Sequence, residues 1–380
     1  MLEYIITEKE MKSKFYPALS TLMGTMMGAG FLGIPFVVTK SGFIPGLIYI
    51  LIIGVFMLLV KLYIGEIALR TNGNHQLAGY AGIYLGKWAK YLVMLSMIFG
   101  IYGALIAYMI GEGRSLSYLI TSSYNLSIVF SLGFWLIMSF LTYIGLKALK
   151  KYEKISMFLI FLIIGIMVLF LSWDVKATNL LYTGNNLFLP FGVILFSFLA
   201  FSAIPEVKRI LSGEERKMKK VIFWATLIPA FIYALFTLLM VGVFGNSVGE
   251  IATLTSGLNR GFSILGIITM FTAFFTSSLA IRDMFRFDFK LGRFKGWCFC
   301  SFITLMLFLA ISLFRLDNFI QILSIAGILS GGLTGILALF MNLQSKKLGR
   351  RKPEFSIKIN YWIILLLIIF FIAGTILALL

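Results

Sequence analysis

MGAGFLGIPF, Met27 to Phe36, lies inside the first strongly apolar segment of the chain and sets three glycines and a proline within eight residues. Glycine weakens helix interiors and proline breaks them. The stretch therefore interrupts what its flanks would otherwise make a membrane-spanning helix.

The flanks leave little doubt about the solvent. Of 380 residues, 60% are hydrophobic and only 13% charged, where a soluble domain is about a quarter charged. The apolar runs have the roughly twenty-residue length of helices crossing hydrocarbon, not the roughly ten-residue alternation of barrel strands. The fold class is all-α integral membrane. Apolar runs between charges place eleven transmembrane helices at 15–40, 42–69, 90–113, 126–147, 154–173, 187–211, 218–244, 261–284, 296–315, 318–343 and 358–380.

The net charge of +18 sits in short loops, which marks it as a topology signal and not as a nucleic-acid surface. Lys40, Arg114, Lys176, Arg260 and Arg315 fall on one side and Lys61 within a span, while every other lysine and arginine falls on the opposite side. The bias predicts a cytoplasmic N-terminus and an outside C-terminus. The N-terminus carries no cleavable signal pattern. His75 is the only histidine, and the four aspartates lie in loops or at span ends, so no catalytic constellation is expected and the chain is not read as an enzyme. Cys298 and Cys300 imply neither a disulfide nor a metal site, and neither a nucleic-acid nor an obligate protein partner is expected.

The interruption has a second instance. GFLGIPF (Gly30–Phe36) recurs loosely as AFSAIPE (Ala200–Glu206), 170 residues on, with Phe31, Ile34 and Pro35 matching Phe201, Ile204 and Pro205. The same shift carries the first five spans onto spans six to ten. Because five is odd, the second unit enters the membrane from the opposite side and the repeat is inverted. The chain then divides into a cytoplasmic N-terminus (1–14), a first five-helix repeat (15–173), an inverted second repeat (187–343) and an eleventh helix (358–380). Paired interrupted spans in inverted repeats point to a transporter's midplane binding site. Pro35 and Pro205 each suit the first turn of a resuming half-helix, whose free N–H groups and partial positive charge suit a carboxylate. Freed carbonyls suit an ammonium or a small cation.

These residues suggest a family. GTMMGAGFLGIPFVVTKSG in span one, GEIALRTNGNHQLAGYAGIYLGKW (Gly65–Trp88) and ILFSFLAFSAIPEVKR (Ile194–Arg209) resemble the amino acid/auxin permeases. That family belongs to the amino acid–polyamine–organocation superfamily and has the leucine-transporter fold, with helices 1 and 6 broken at the midplane. The resemblance implies a small-molecule amino acid substrate held by the backbone of Met27, Gly28, Ala29, Gly30 and Phe31. Phe196, Ser197, Phe198, Ala200 and Phe201 would supply carbonyls and part of the side-chain pocket, with Tyr102 on the facing wall. It also implies a sodium site at Ala273, Thr276 and Ser277 with the carbonyls of Gly24 and Met27. A proton is the alternative coupling ion, and no other cofactor is expected. Glu66 and Glu206 are candidate gate partners for Lys61, Lys208 or inner-loop cations, and Asp283 for Lys12 or Lys14. Glu112 and Arg114 are read as interfacial at the outer end of span three, and 75–87 as a short cytoplasmic helix on the membrane face.

The expected function is secondary active amino acid symport by alternating access. Three phenylalanines and no charge in the pocket stretch favour a neutral, large apolar or aromatic substrate. A proton-coupled permease and a non-transporting sensor of the same fold are the alternatives. Composition and short termini suggest a prokaryotic cytoplasmic membrane.

Overall fold

The computed structural model describes residues 13–379 and their side chains, except those of 146–154 and 379. Among the described residues there are helices and no strands. Lys9 and Lys12, and with them the expected Lys12–Asp283 pair, lie outside the described residues, as do the side chains of Lys147, Lys150, Lys151 and Lys154.

The first apolar segment is two helices, α1 (Phe15–Met26) and α2 (Ala29–Ser41), bent by 45° at a two-residue break. There follow α3 (Phe43–Arg70), a short α4 (Leu77–Tyr84), α5 (Lys87–Thr121), α6 (Ser127–Ile144) and α7 (Leu146–Leu171). A four-residue α8 (Ala177–Leu180) precedes the second interrupted segment, α9 (Leu189–Ser197) and α10 (Ile204–Ile210). The remainder is α11 (Met218–Phe244), α12 (Ser263–Asp283), α13 (Arg293–Leu313), α14 (Phe319–Gly327), α15 (Leu333–Leu348) and α16 (Tyr361–Leu379). A π-helical turn, Ile328–Gly332, joins α14 to α15. Ten segments are long and apolar enough to cross a membrane, or up to eleven if the bent α1–α2 pair is one span.

Several elements differ from the sequence expectation for physical reasons. The helix expected to stop at 113 runs on to Thr121, because Glu112 is buried and Arg114 finds acidic partners instead of open water. The helix expected from 154 begins at Leu146, just after Gly145, whose φ of +91° makes the tight corner between α6 and α7. The short helix expected on the membrane face is tucked under the bundle instead. Leu77, Ala78, Tyr80 and Ala81 of α4 are buried, and Asp288 accepts from the backbone N–H of Gln76 (3.0 Å) and Gly79 (2.8 Å).

The bundle has a buried interior and a wetted or lipid-facing rim. Of the Leu189–Ile210 segment, 89% is buried, against 17% of Tyr361–Ala378, so the interrupted segment lies at the centre and α16 at the edge. The most exposed large apolar side chains, Leu169, Phe170, Met306 and Trp362 among them, sit on peripheral helices, as expected where lipid is the solvent. Helix α5 packs along α12, α6 and α14, while α9 packs on α2 and α14.

One polar node ties the periphery together. The buried carboxylate of Glu66, near the end of α3, accepts from Arg70 Nε (2.9 Å) and Nη2 (2.8 Å), Ser356 Oγ (2.7 Å), Ile357 N (3.0 Å) and Asn342 Nδ2 (3.3 Å), with Lys346 Nζ at 3.0 Å. It thereby joins α3, α15 and the segment leading to α16. A buried charge so fully compensated is a structural clamp, since removing one partner of such a set costs about 3–5 kcal/mol. Glu66→Ala should lower the melting temperature in detergent by several degrees, and Glu66→Gln, which keeps some of the bonds, should lower it less. An unchanged melting temperature for Glu66→Ala would remove the clamp.

Candidate functional site

The two interruptions meet. Helix α1 ends at Met26 and α2 resumes at Ala29, while α9 ends at Ser197 and α10 resumes at Ile204 after a 3-10 turn, Phe201–Ala203. A helix leaves its last carbonyls and first N–H groups without ladder partners, and no side chain caps the start of α2. The Tyr233 hydroxyl of α11 lies 2.8 Å from the carbonyl oxygen of Met26 and 3.0 Å from that of Ser197, spanning the two helix ends. Phe31 stacks on the Tyr233 ring at 5.8 Å, and Phe198 meets it edge-on at 5.2 Å.

Glycines permit the approach. A Cβ on Gly30 would lie 2.6 Å from Ser197 Oγ and 2.9 Å from Ser197 Cα, inside the second interruption. A Cβ on Gly28 would lie 2.6 Å from Ala273 Cβ and 2.8 Å from the Tyr108 hydroxyl. The break therefore sits at Met27–Gly28, where backbone must touch α5 and α12, and not at Pro35 as the sequence suggested. Pro35 lies within α2, whereas Pro205 does occupy the first turn of its resumed helix.

Between the interruptions lies a cavity of about 60 Å³, lined among others by Thr25, Met26, Tyr108, Phe196, Phe201 and Ser277. This is well below the roughly 300–1,000 Å³ of ordinary ligand pockets, so a bulky ligand needs the surrounding helices to part. Ser202 belongs to this cavity and to a second, of about 20 Å³, that reaches Glu206, Arg209 and Asp283. There Arg209 bonds both Glu206 and Asp283 Oδ2 (2.7 Å), and Arg282 bonds Asp283 Oδ1 (3.1 Å). At the other end of the bundle, Arg114 bridges Glu250 (3.4 Å) and Asp317 (3.2 Å).

The expected residues fall into three groups. Met27, Gly28, Ala29, Gly30 and Phe31, with Ser197 and Phe198, are buried at the interruptions, and Phe196, Ala200 and Phe201 line the cavity. Gly24, Ala273, Thr276 and Ser277 are buried beside them. Thr276 Oγ1 donates back along α12 to Ala273 O (3.1 Å) or Thr272 O (3.2 Å), and Ser277 lines the cavity together with Tyr108. Tyr102 is not at the cavity. It occupies a different face of α5 and donates to Phe299 O of α13 at 2.8 Å.

The charges rearrange as well. Asp283 and Glu206 share Arg209; Lys14 instead donates to Ser212 O and joins Glu214. Lys208 donates to Thr71 O (2.6 Å). Lys61 pairs with no carboxylate: its Nζ lies 3.1 Å from Met26 Sδ, 3.3 Å from Thr226 Oγ1 and 5.7 Å from the Phe198 ring centre. Glu112 is not interfacial but fully buried.

Tyr108, Arg209 and Tyr233 are the residues that sequence reasoning missed. The signals were present in part. Gly100, Ala104, Tyr108 and Gly111 recur at helical spacing, which marks the closely approached face of α5 and puts Tyr102 off it. Glu206 and Arg209 stand three apart on one helix. Tyr233 falls 170 residues after Tyr63, inside the repeat.

With this geometry in place, comparison with known proteins is informative. The model of the tryptophan/tyrosine permease family matches residues 11–378. The chain is 24% identical over 336 residues to the tyrosine-specific transport system 1 of Haemophilus influenzae, covering 81% of this chain and 83% of that one. It is also 24% identical over 344 residues to amino acid transporter AVT3B of Arabidopsis thaliana, covering 84% and 82%. Over 240 residues it is 24% identical to the low affinity tryptophan permease of Proteus vulgaris, covering 59% and 56%.

Two substitutions test the meeting of the interruptions. Tyr233→Phe strips the hydroxyl from two helix-end carbonyls and should cost about 1–3 kcal/mol, read as a lowered melting temperature. Gly30→Ala places a methyl where Ser197 already stands and should abolish ligand-induced stabilisation while the far-ultraviolet spectrum stays helical. If Gly30→Ala binds ligand as the parent does, the two segments are not in contact there.

Proposed function

The chain belongs to the tryptophan/tyrosine permease family and is a multi-pass membrane permease for amino acids; on that footing we propose that it is a symporter for neutral, large apolar or aromatic amino acids, working by alternating access. The observation that carries this reading is the meeting of two interrupted segments at one buried cavity. The last residues of the two helices that stop there, Met26 and Ser197, are 171 residues apart, within one residue of the 170-residue offset of the sequence repeat. This supports a five-plus-five inverted repeat with the leucine-transporter arrangement, an N-terminus inside and an eleventh helix appended at 358–380.

The chemistry of the site fits the substrate class. The uncapped N–H groups opening α2 suit a carboxylate. The carbonyls ending α9, together with those of Phe196 to Ala200, suit an ammonium. Phe196, Phe201 and Met26 give the cavity an apolar wall with no charged side chain among its lining. The names of two relatives, a tyrosine-specific transport system and a low affinity tryptophan permease, agree with an aromatic substrate.

Sodium is the proposed driving ion, held by the carbonyls of Gly24, Met27 and Ala273 and the hydroxyls of Thr276 and Ser277. These are hard oxygen donors of the kind a small cation takes. The Glu206–Arg209–Asp283 cluster would close the inner end of the path, and the Arg114–Glu250–Asp317 cluster the outer.

Purified protein in liposomes should accumulate labelled tyrosine, tryptophan or phenylalanine when an inward sodium gradient is imposed. The double substitution Thr276→Ala, Ser277→Ala should lower sodium-driven uptake at least tenfold. Accumulation with a proton gradient and no sodium would move the coupling ion from sodium to proton. Saturable binding in detergent with no uptake under any gradient would make the protein a sensor.

A further inference from the structure

Among the described residues most buried carboxylates have hydrogen-bond or ionic partners, and Glu112 has none. It lies in the last third of α5, nine residues before Thr121, with its side chain fully buried, and neither carboxylate oxygen has a hydrogen-bond partner among the described residues. Two more buried oxygens nearby share that condition. Ser115 Oγ, one turn on along the same face of α5, and Thr253 Oγ1, on the segment packed over α12, are both without partners. They converge on one point: a Cβ on Gly266 of α12 would lie 3.0 Å from Thr253 Oγ1 and 3.5 Å from Ser115 Oγ.

No counter-charge pairs with Glu112 among the described residues: Arg260, on a turn that packs against α5, donates to Ser122 Oγ just past the end of α5, and the basic residues of α13 and α15 (Arg293, Lys295, Lys346, Lys347) lie at the other end of the bundle. On α5 itself, Arg114 is committed to Glu250 and Asp317. Helix α6 carries no ionisable group apart from Tyr143 at its far end, and packs Ser131 at this level of α5. Helix α14 offers Phe319, and α2 offers Lys40, which lies over the Phe36 ring. The ionisable groups of α12, Arg282 and Asp283, are at its other end and bonded to each other. From the short segment Ala252–Leu254 comes only Thr253, and from α4 Tyr80 and Tyr84 at the remote end of the bundle. An uncompensated carboxylate away from water and hydrogen bonds costs far more than its neutral form. The conformation described here is therefore one in which Glu112 carries a proton.

Glu112 is also wired to the site. Tyr108, four residues before it on the same helical face, lies against Gly28 at the first interruption and lines the cavity together with Ser277. In the other direction, Ser115 leads toward Arg114, Glu250 and Asp317, whose side chains are partly exposed. We propose that Glu112 is a proton-binding site that loads and unloads during the transport cycle, taking its proton from water on the side of Arg114 and releasing it to water on the opposite side as the helices around the cavity rearrange. The carboxylate gains one proton from water on loading and returns one on release, and no other group changes its bonds. The proposal rests on the transporter reading but not on the identity of the other driving ion.

Two measurements decide it. The first is infrared difference spectroscopy of wild type against Glu112→Gln in detergent at neutral pH. The expected result is a carbonyl stretch of a neutral carboxylic acid that the variant lacks; no such difference would show Glu112 ionised and overturn the proposal. The second uses liposomes with a pH-sensitive dye inside, with tyrosine as the probe substrate. Wild type should admit protons with substrate, and a one-unit inward pH gradient should raise accumulation by up to about tenfold per proton carried. Glu112→Gln, which mimics the loaded state, should exchange labelled for unlabelled tyrosine yet lose both the dye signal and the pH-driven accumulation. Proton entry that persists in the variant, or wild-type transport without protons, sinks the proposal alone. Absence of any tyrosine movement in wild type sinks the transporter reading, and the coupling role with it. Glu112→Asp, which keeps the ionisable group, should retain proton entry and separates loss of the proton from loss of the fold.

Discussion

A backbone carbonyl or amide inside hydrocarbon must find its partner within the protein or in water that the protein shelters, and the rest of this structure is arranged around that constraint. Two segments abandon their helical ladders in the middle of the bundle. Neither could do so facing lipid, so both are at the centre, and the second is the most deeply buried of the apolar segments. The Tyr233 hydroxyl spans the carbonyls of Met26 and Ser197. It has one proton to give, so it satisfies one carbonyl at a time. The remaining polar backbone at the interruptions is what a ligand can use, and the glycines at 28 and 30 bring that backbone against α5, α12 and α9 without intervening side chains.

The buried charges sort by how they are compensated. Glu66 has partners for both oxygens from three elements and joins parts that pack at the rim, which is the behaviour of a fixed joint. Arg209 shares itself between Glu206 and Asp283, so the pairing ties α10 to α12, two elements on opposite sides of the small cavity below the interruptions. Among the described residues, Lys61 and Glu112 pair with no opposite charge. Lys61 sits between residues flanking both interruptions, bonded only to a thioether and a hydroxyl, and Glu112 stands one helical turn from the tyrosine that touches Gly28. A soluble core would not retain such groups for stability, since apolar residues of similar size do as well or better.

How much of this was written in the sequence depends on the range of the interaction concerned. Span lengths follow from the hydrophobic requirement of each helix alone, and the apolar runs located nearly every helix within a few residues. The interruptions were legible because glycine and proline act locally, but their register was not. Proline announces where a helix cannot start a bond, while the break at Met27–Gly28 is fixed by Ala273 and Tyr108, contacts 80 or more residues away. The same distance in sequence hid the ionic partners. Asp283, which the sequence pairs with lysines near the N-terminus, is held by Arg209; Glu112 and Arg114, two apart and read together as interfacial, part company, one buried and the other reaching Glu250 and Asp317. Tyr102 was chosen for depth alone, and depth does not tell one face of a helix from another.

The two charge clusters at the ends of the bundle are unequal, and this inequality bears on how such a molecule can cycle. Arg114, Glu250 and Asp317 have side chains 28%, 33% and 44% exposed, whereas Asp283 is 2% exposed and Arg209 21%. Exposed pairs contribute at most about 1 kcal/mol each, while separating a buried pair costs about 3–5 kcal/mol. Parting α10 from α12 is thus the harder movement, unless water reaches the cluster as it opens. Driving a two-state equilibrium from 1:99 to 99:1 takes about 5.5 kcal/mol of differential affinity, the same order as that cost. A ligand that binds both states equally shifts nothing. Any ligand that drives such a cycle must therefore bind the cavity more tightly in one arrangement of the interruptions than in the other. Groups whose charge can be switched next to those interruptions, with no fixed counter-charge to hold them in one state, are a direct physical means of supplying that difference.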